Sequence, residues 1–249
     1  MSPRLAVLML ALATRASAAK PAPGAADFVS VQDAVPGVIV EMRYAGFHNF
    51  TGRPVAGYDA PKCLLTKEAA RALAAVEADA QKRSMTLKVY DCYRPQKAVD
   101  DFIAWAKRLN DRAMKAEFYP HVAKKDLFKD GYIAARSSHS RGSTMDLTLV
   151  PLPVPKEAPY RRGEKLFSCT APQGRRFADN GIDMGTGFDC FDPLAHPDNP
   201  AVGKRALADR MLLRSLMEKH GFKGIPEEWW HFTLKREPFP RRYFNFDVR

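Results

Sequence analysis

Ser137-Ser138-His139-Ser140-Arg141-Gly142-Ser143-Thr144-Met145-Asp146-Leu147-Thr148-Leu149-Val150 joins a polar, glycine-containing turn to an alternating run. Met145, Leu147 and Leu149 fall on one side of that run, Asp146 and Thr148 on the other. Alternation with period two is the pattern of a strand with one apolar and one polar face. A carboxylate buried on such a face must be paired or bind a metal. Residues 86–93 read the same way, Leu87 and Val89 alternating with Lys88 and Tyr90, and residues 38–42 are β-branched enough for a short strand. A late strand is expected over 229–234.

Helical patterns lie between these strands. Thr66 can cap a helix over 67–81, whose apolar residues Ala69, Leu73, Val76 and Ala80 recur every three or four positions. Residues 96–109 put Val99, Phe102, Ile103 and Ala106 on one helical face. Asn199 with Pro200 reads as an N-cap and first-turn pair. The helix it would start carries Leu207, Met211, Leu213 and Met217 to His220 and stops at Gly221. Residues 110–136 show no clear pattern, and Pro151, Pro153, Pro155 and Pro159 enforce a long extended loop. With no repeat and no interior linker, the pattern predicts one α+β domain over residues 30–249. Its central sheet is expected to be mainly antiparallel and flanked by helices.

Length and composition agree. At 249 residues, 46% hydrophobic and 27% charged, the chain is not disordered, collagenous or a coiled coil. Arg4, the apolar run over 5–13 and Ala16-Ser17-Ala18 have the order of a secretory signal peptide. The run is far short of the roughly 20 residues of a membrane span. Residues 1–18 are therefore expected to be cleaved, and 19–29 to form a flexible mature N-terminus. No stable membrane anchor should remain, and the location would be periplasmic or secreted. Losing Arg4 and Arg15 takes the net charge from +11 to +9. The basic residues are scattered, with no basic helix, so nucleic acid is not an expected partner. The four cysteines form no CxxC pair, and an oxidising compartment favours two disulfides. Order along the chain favours Cys63–Cys92 and Cys169–Cys190 among three connectivities.

His139 and Asp146, together with His231 in Glu227-Glu228-Trp229-Trp230-His231-Phe232, offer three nitrogen or oxygen ligands. A catalytic zinc takes three protein ligands and keeps a place for water. Spacing alone admits a blander reading, in which His139 caps a loop, Asp146 pairs with an arginine and His231 is a packed core histidine. Glu228 precedes His231 by three, which in a regular strand sets them on opposite faces. They share a site only if Glu228 sits on a turn or bulge, which Gly224 and Pro226 make reasonable. Asn49-Phe50-Thr51 also matches a glycosylation sequon.

Ser-x-His-Ser-Arg-Gly-Ser-x-x-Asp-Leu-Thr-Leu and Glu-Trp-Trp-His-Phe resemble the two signatures of the D-alanyl-D-alanine dipeptidases, zinc peptidases related in fold to the Hedgehog signalling domain. Arg43-Tyr44-Ala45 with Asn49-Phe50-Thr51-Gly52, Asp91-Cys92-Tyr93-Arg94-Pro95 and Asp183-Met184-Gly185-Thr186-Gly187-Phe188-Asp189 resemble further blocks of that family in the same order. The resemblance spans about residues 30–235. It implies a Hedgehog/D,D-peptidase-like fold and one zinc ion per chain on His139, Asp146 and His231. It implies Glu228 as general base, with the motif's register favouring it over Glu227, and Arg94 as the partner of the tetrahedral intermediate. It also implies Asp189 on the substrate's ammonium, Ser137 near the substrate and Tyr44 as a pocket wall. The reaction implied is hydrolysis of D-Ala-D-Ala by water activated at the metal. The same ligands would serve a zinc D,D- or L,D-carboxypeptidase acting on peptidoglycan peptides, or a non-catalytic zinc-stabilised binding module. The stretch 151–180 and the extra cysteines depart from the family pattern.

Overall fold

A computed structural model describes residues 24–249, so the expected signal peptide at 1–18 lies outside the described residues. The elements in chain order are β1 (Phe28–Ser30), α1 (Val31–Ala34), β2 (Ile39–Val40), β3 (Leu64–Thr66), α2 (Lys67–Gln81) and β4 (Met85–Asp91). They continue with α3 (Gln96–Lys107), α4 (Lys115–Phe118), β5 (Thr144–Pro151), α5 (Lys204–Lys219), β6 (Phe222–Gly224) and β7 (His231–Leu234). Five strands form one sheet in the order β2-β4-β5-β7-β6, and only the β2–β4 pairing is parallel. β1 and β3 make a separate antiparallel pair. This is the expected α+β architecture with a mainly antiparallel sheet.

The apolar side of the sheet is closed by α2, which packs against β4 and α5. Thr66 accepts a hydrogen bond from the Ala69 amide, as an N-cap should. Ala69, Leu73, Val76 and Ala80 are fully buried, and burial of a Leu or Val side chain contributes about 1.5–3 kcal/mol. The same face buries Glu77, whose carboxylate accepts from the Thr86 hydroxyl at 2.7 Å and the Leu87 amide at 2.8 Å, tying the helix to β4.

β5 runs through the middle of the sheet and is buried on both sides. Its polar side is covered by the chain between β5 and α5, which among described residues has no strand or α-helix. The Lys88 ammonium, fully buried on that side, meets Glu41, Glu157 at 2.7 Å, Asp179 at 3.4 Å and the Asn180 amide oxygen at 3.0 Å. The polar residues predicted from alternation thus face a second layer of polar chain instead of solvent. Both expected disulfides form, Cys63–Cys92 beside β4 and Cys169–Cys190 within the covering segment.

Several expectations are corrected. Residues 28 and 29 are not part of a flexible N-terminus, because Phe28 is buried against Tyr93, Phe244 and Phe246 in β1. Asn199 caps a short 3-10 turn over Pro200–Val202, and α5 starts after Gly203. α5 buries Ala206, Arg210, Leu213, Leu216 and Met217, leaving Leu207 and Met211 half-buried. Arg210 enters that face because its guanidinium donates to the carbonyls of Met184, His196 and Leu194. In α3, Trp105 takes the buried place expected for Ile103. β7 begins at His231 rather than at Trp229, whose indole donates instead to Thr186. Asn49 is buried, its amide donating to the carbonyls of Arg43, Gly46 and Arg53, so it stabilises the loop carrying Tyr44 and offers no glycosylation site.

Candidate active site

Strand register builds one row of the site. Asp146 on β5 lies directly between Asp91 on β4 and His231 on β7. Residues so paired point to one side with Cβ atoms about 5 Å apart. Regular pairing of β4 would put Tyr90 opposite Asp146, since Val89 faces Leu147. A register shift between Val89 and Asp91 brings Asp91 there instead, which is how a bulge re-aims a side chain.

His139 reaches the row from the turn before β5. Ser138–Arg141 is a 3-10 turn in which the Ser137 hydroxyl accepts from the His139 amide at 3.3 Å. Gly142 ends it at φ 79°, in the left-handed region. A Cβ there would lie 2.1 Å from the Phe28 ring, so only glycine allows this close approach. Glu228 lies between the bends at 226–227 and 229–230 that precede β7, which resolves the parity conflict with His231: Glu228 Oε2 lies 3.5 Å from His231 Nδ1.

The three expected ligands converge. His139 Nε2 lies 3.2 Å from His231 Nδ1 and 3.3 Å from Asp146 Oδ1, which is 3.2 Å from His231 Nδ1. All three residues are buried. The outer nitrogens are engaged elsewhere. His139 Nδ1 donates to the Cys92 carbonyl at 2.7 Å, and His231 Nε2 faces the Ser138 hydroxyl at 3.1 Å. His139 must then present a lone pair at Nε2, and Ser138 can accept from His231 Nε2 so that Nδ1 does likewise. Asp146 Oδ1 is buried and receives no hydrogen bond of good geometry. Lone pairs converging in a buried space fit a cation among them, and partners on the outer imidazole nitrogens are the usual support of metal-binding histidines.

Around this centre the charges are arranged by burial. Burial raises the Asp146 carboxyl; with no cation bound and the two imidazoles protonated instead, His139 and His231 outweigh burial and hold the group below the ordinary carboxylate range. Glu228 is pushed up to about 8, by burial first and then by Asp146 and Asp189, with His231 opposing. Asp189 is pushed up to about 7 by burial, although Tyr44 donates to its Oδ2 at 2.7 Å. Asp189 holds φ 59°, a conformation that Asp tolerates better than most residues. Arg94 donates to Asp91 Oδ2 through Nε at 2.9 Å and Nη2 at 2.8 Å, and lies 3.8 Å from Asp146. It also reaches toward the Ser137 hydroxyl at 3.5 Å and packs 5.1 Å from the Tyr44 ring centre.

All eight expected site residues line one cavity of about 200 Å³. Sequence reading missed the supports. Asp91, read only as part of a motif or a turn, anchors Arg94 and lies 3.3 Å from His139 Nδ1. Tyr58 donates to the other oxygen of Asp91 at 2.5 Å. The three-residue spacing from Asp91 to Arg94 could have suggested the first, whereas nothing local marks Tyr58.

The D-Ala-D-Ala dipeptidase family model matches residues 24–153 and 175–249, and the interruption falls inside the departing stretch 151–180. A D-alanyl-D-alanine dipeptidase of Streptomyces coelicolor is 38% identical over 222 residues, covering 89% of this chain and 98% of that protein. One of Enterococcus faecalis is 36% identical over 89% of this chain and 98% of its own length. One of Escherichia coli is 32% identical over 84% of each. A site of two imidazoles, a carboxylate and an adjacent glutamate sits inside the matched segments, and the chain belongs to the D-Ala-D-Ala dipeptidase family of metallopeptidases.

Proposed function

We propose that this protein hydrolyses the free dipeptide D-Ala-D-Ala to D-alanine, with one zinc ion per chain held by His139, Asp146 and His231. The observation that carries the reading is the convergence of three lone-pair atoms within 3.3 Å of one another, with Glu228 at 3.5 Å. Two nitrogens with one carboxylate suit zinc. When bound, zinc supplies Lewis acidity to the scissile carbonyl and to a water.

The remaining steps belong to the chain. Glu228 takes the proton of the attacking water and returns it to the leaving amine. Arg94, held by Asp91, donates to the oxygen on which negative charge develops. Asp189, oriented by Tyr44, receives the substrate's ammonium, and its burial leaves no room for a longer chain at that end. Ser137 stands beside Arg94 at the substrate wall. Two disulfides support the further proposal that the protein is exported and works in the periplasm or outside the cell.

Turnover of D-Ala-D-Ala tests the reading. It should vanish with a chelator and return with added zinc. Turnover indifferent to chelation, or none by the zinc-loaded protein, overturns it.

A further inference from the structure

Two arginines line the candidate cavity, and they differ in their partners. Arg94 is committed to Asp91. Arg136 is exposed at the cavity wall, next to Ser137, and among the described residues no carboxylate lies within ion-pairing distance of it. Its guanidinium rests 5.1 Å from the ring centre of Tyr243. The acid nearby is already taken: Arg141, on the same ring at 5.7 Å, makes a two-pronged pair with Glu237 at 2.7 and 2.8 Å.

Arg136 also lines a second, open cleft with Arg241 and Arg242, and no acidic residue lines that cleft. Both of these arginines are exposed and, among the described residues, likewise lack an ion-pair partner. The catalytic cavity therefore has a buried anion, Asp189, as one part of its wall. At another part, the wall is an unpaired cation that leads out into a basic approach.

A free dipeptide at neutral pH carries an ammonium at one end and a carboxylate at the other. A cavity of about 200 Å³ is smaller than the roughly 300 Å³ at which drug-sized sites begin, so both ends of a ligand held there meet its walls. We infer that Arg136 binds the carboxylate terminus of the dipeptide, while Arg241 and Arg242 provide the positive field of approach. This rests on the dipeptidase reading and adds its second specificity contact, with Asp189 on one end and Arg136 on the other. The planar guanidinium fork matches a carboxylate in two-pronged geometry. Because Arg136 touches only the substrate's terminus, its effect belongs in binding rather than in the chemical step. A field from Arg241 and Arg242 acts on encounter and weakens with salt.

The test compares D-Ala-D-Ala with its C-terminal amide, in the zinc-loaded protein and its variants. The wild type should prefer the free acid by about tenfold or more in kcat/KM. Arg136→Gln should raise KM for the acid about tenfold with kcat nearly unchanged, and leave kcat/KM for the amide as it was. Arg136→Lys should recover part of the loss. Calorimetry on the Glu228→Gln protein, with and without Arg136→Gln, gives the same comparison without turnover: affinity for the acid should fall and affinity for the amide should not. Arg241→Gln with Arg242→Gln should lower kcat/KM for the acid at low salt and flatten its ionic-strength dependence. Equal handling of acid and amide by the wild type overturns the inference, as does an equal loss on both in Arg136→Gln. Failure of the zinc-loaded wild type to hydrolyse either compound overturns the dipeptidase reading itself.

Discussion

Asp189→Asn should make the metal-stripped protein more stable at alkaline pH while weakening substrate binding. Asp189 is 5% exposed, and burial raises its carboxyl from 3.8 to about 7. Its folded-state value lies above its unfolded one, so the contribution is fully present below about pH 4 and is lost as pH rises through about 7. A shift of that size corresponds to about 4 kcal/mol at pH 9. Asparagine matches the neutral carboxyl in shape, can accept the Tyr44 hydrogen bond in place of Oδ2, and tolerates φ 59°. The two proteins should therefore unfold alike near pH 4. At pH 9 the variant should lead by about 8–16 °C, since a chain of this size gains about 2–4 °C per kcal/mol. The assay is thermal unfolding in chelator across that range, paired with KM for D-Ala-D-Ala in zinc, which should rise at least tenfold because an ammonium loses its counter-charge. A stability difference that does not change with pH, or a variant less stable at pH 9, would refute the argument that burial of this carboxylate is a cost kept for binding.

Glu228→Gln should retain zinc by direct metal analysis and lose about 10²–10⁴ in kcat, the usual range for general acid–base groups; unchanged kcat would remove Glu228 from that role. Gly142→Ala should be strongly destabilising in denaturant titrations, because the new methyl would lie 2.1 Å from the Phe28 ring at a left-handed φ. Wild-type stability in that variant would mean that the turn carrying His139 is not held as described. Glu117 is raised to about 7 by burial and accepts from His48, whose own value is lowered to about 2 by burial and by Arg43 and Lys88. Glu117→Gln keeps an acceptor for His48, so it should match the wild type near pH 4 and exceed its melting temperature at pH 9, with no such crossover if Glu117 titrates normally.

The strand and the turn that carry the candidate ligands were legible in strongly patterned sequence, while their grouping as ligands came from the family resemblance. Asp146 falls on the polar phase of an alternating run, and His139 lies in a turn whose glycine punctuates the entry to that run. Even the conflict between Glu228 and His231 was informative, since strand parity demanded a break there and bends at 226–227 and 229–230 flank Glu228. What local pattern could not carry was anything set by pairing. Asp91 enters the row only through the bulge beside it, and Tyr58 meets Asp91 from 33 residues away. The burial of Lys88 and Thr148 was hidden for a different reason. Hydropathy separates the faces of a strand, but it assumes that a polar face meets water. Here the polar face meets Glu157, Asp179 and Asn180 of the covering segment. That arrangement also explains why the site needs no gap in the core. β5 is buried along its length, yet its polar phase stays continuous from Thr148 to Asp146. Where the covering segment supplies Asp179 and Asn180, the row is closed by ion pairs, and where it supplies Asp189, a cavity with charged walls remains open. The candidate ligand row is thus the uncovered end of a buried polar face, so the chemistry of the covering chain, and not the alternation of β5, decides where a ligand can enter.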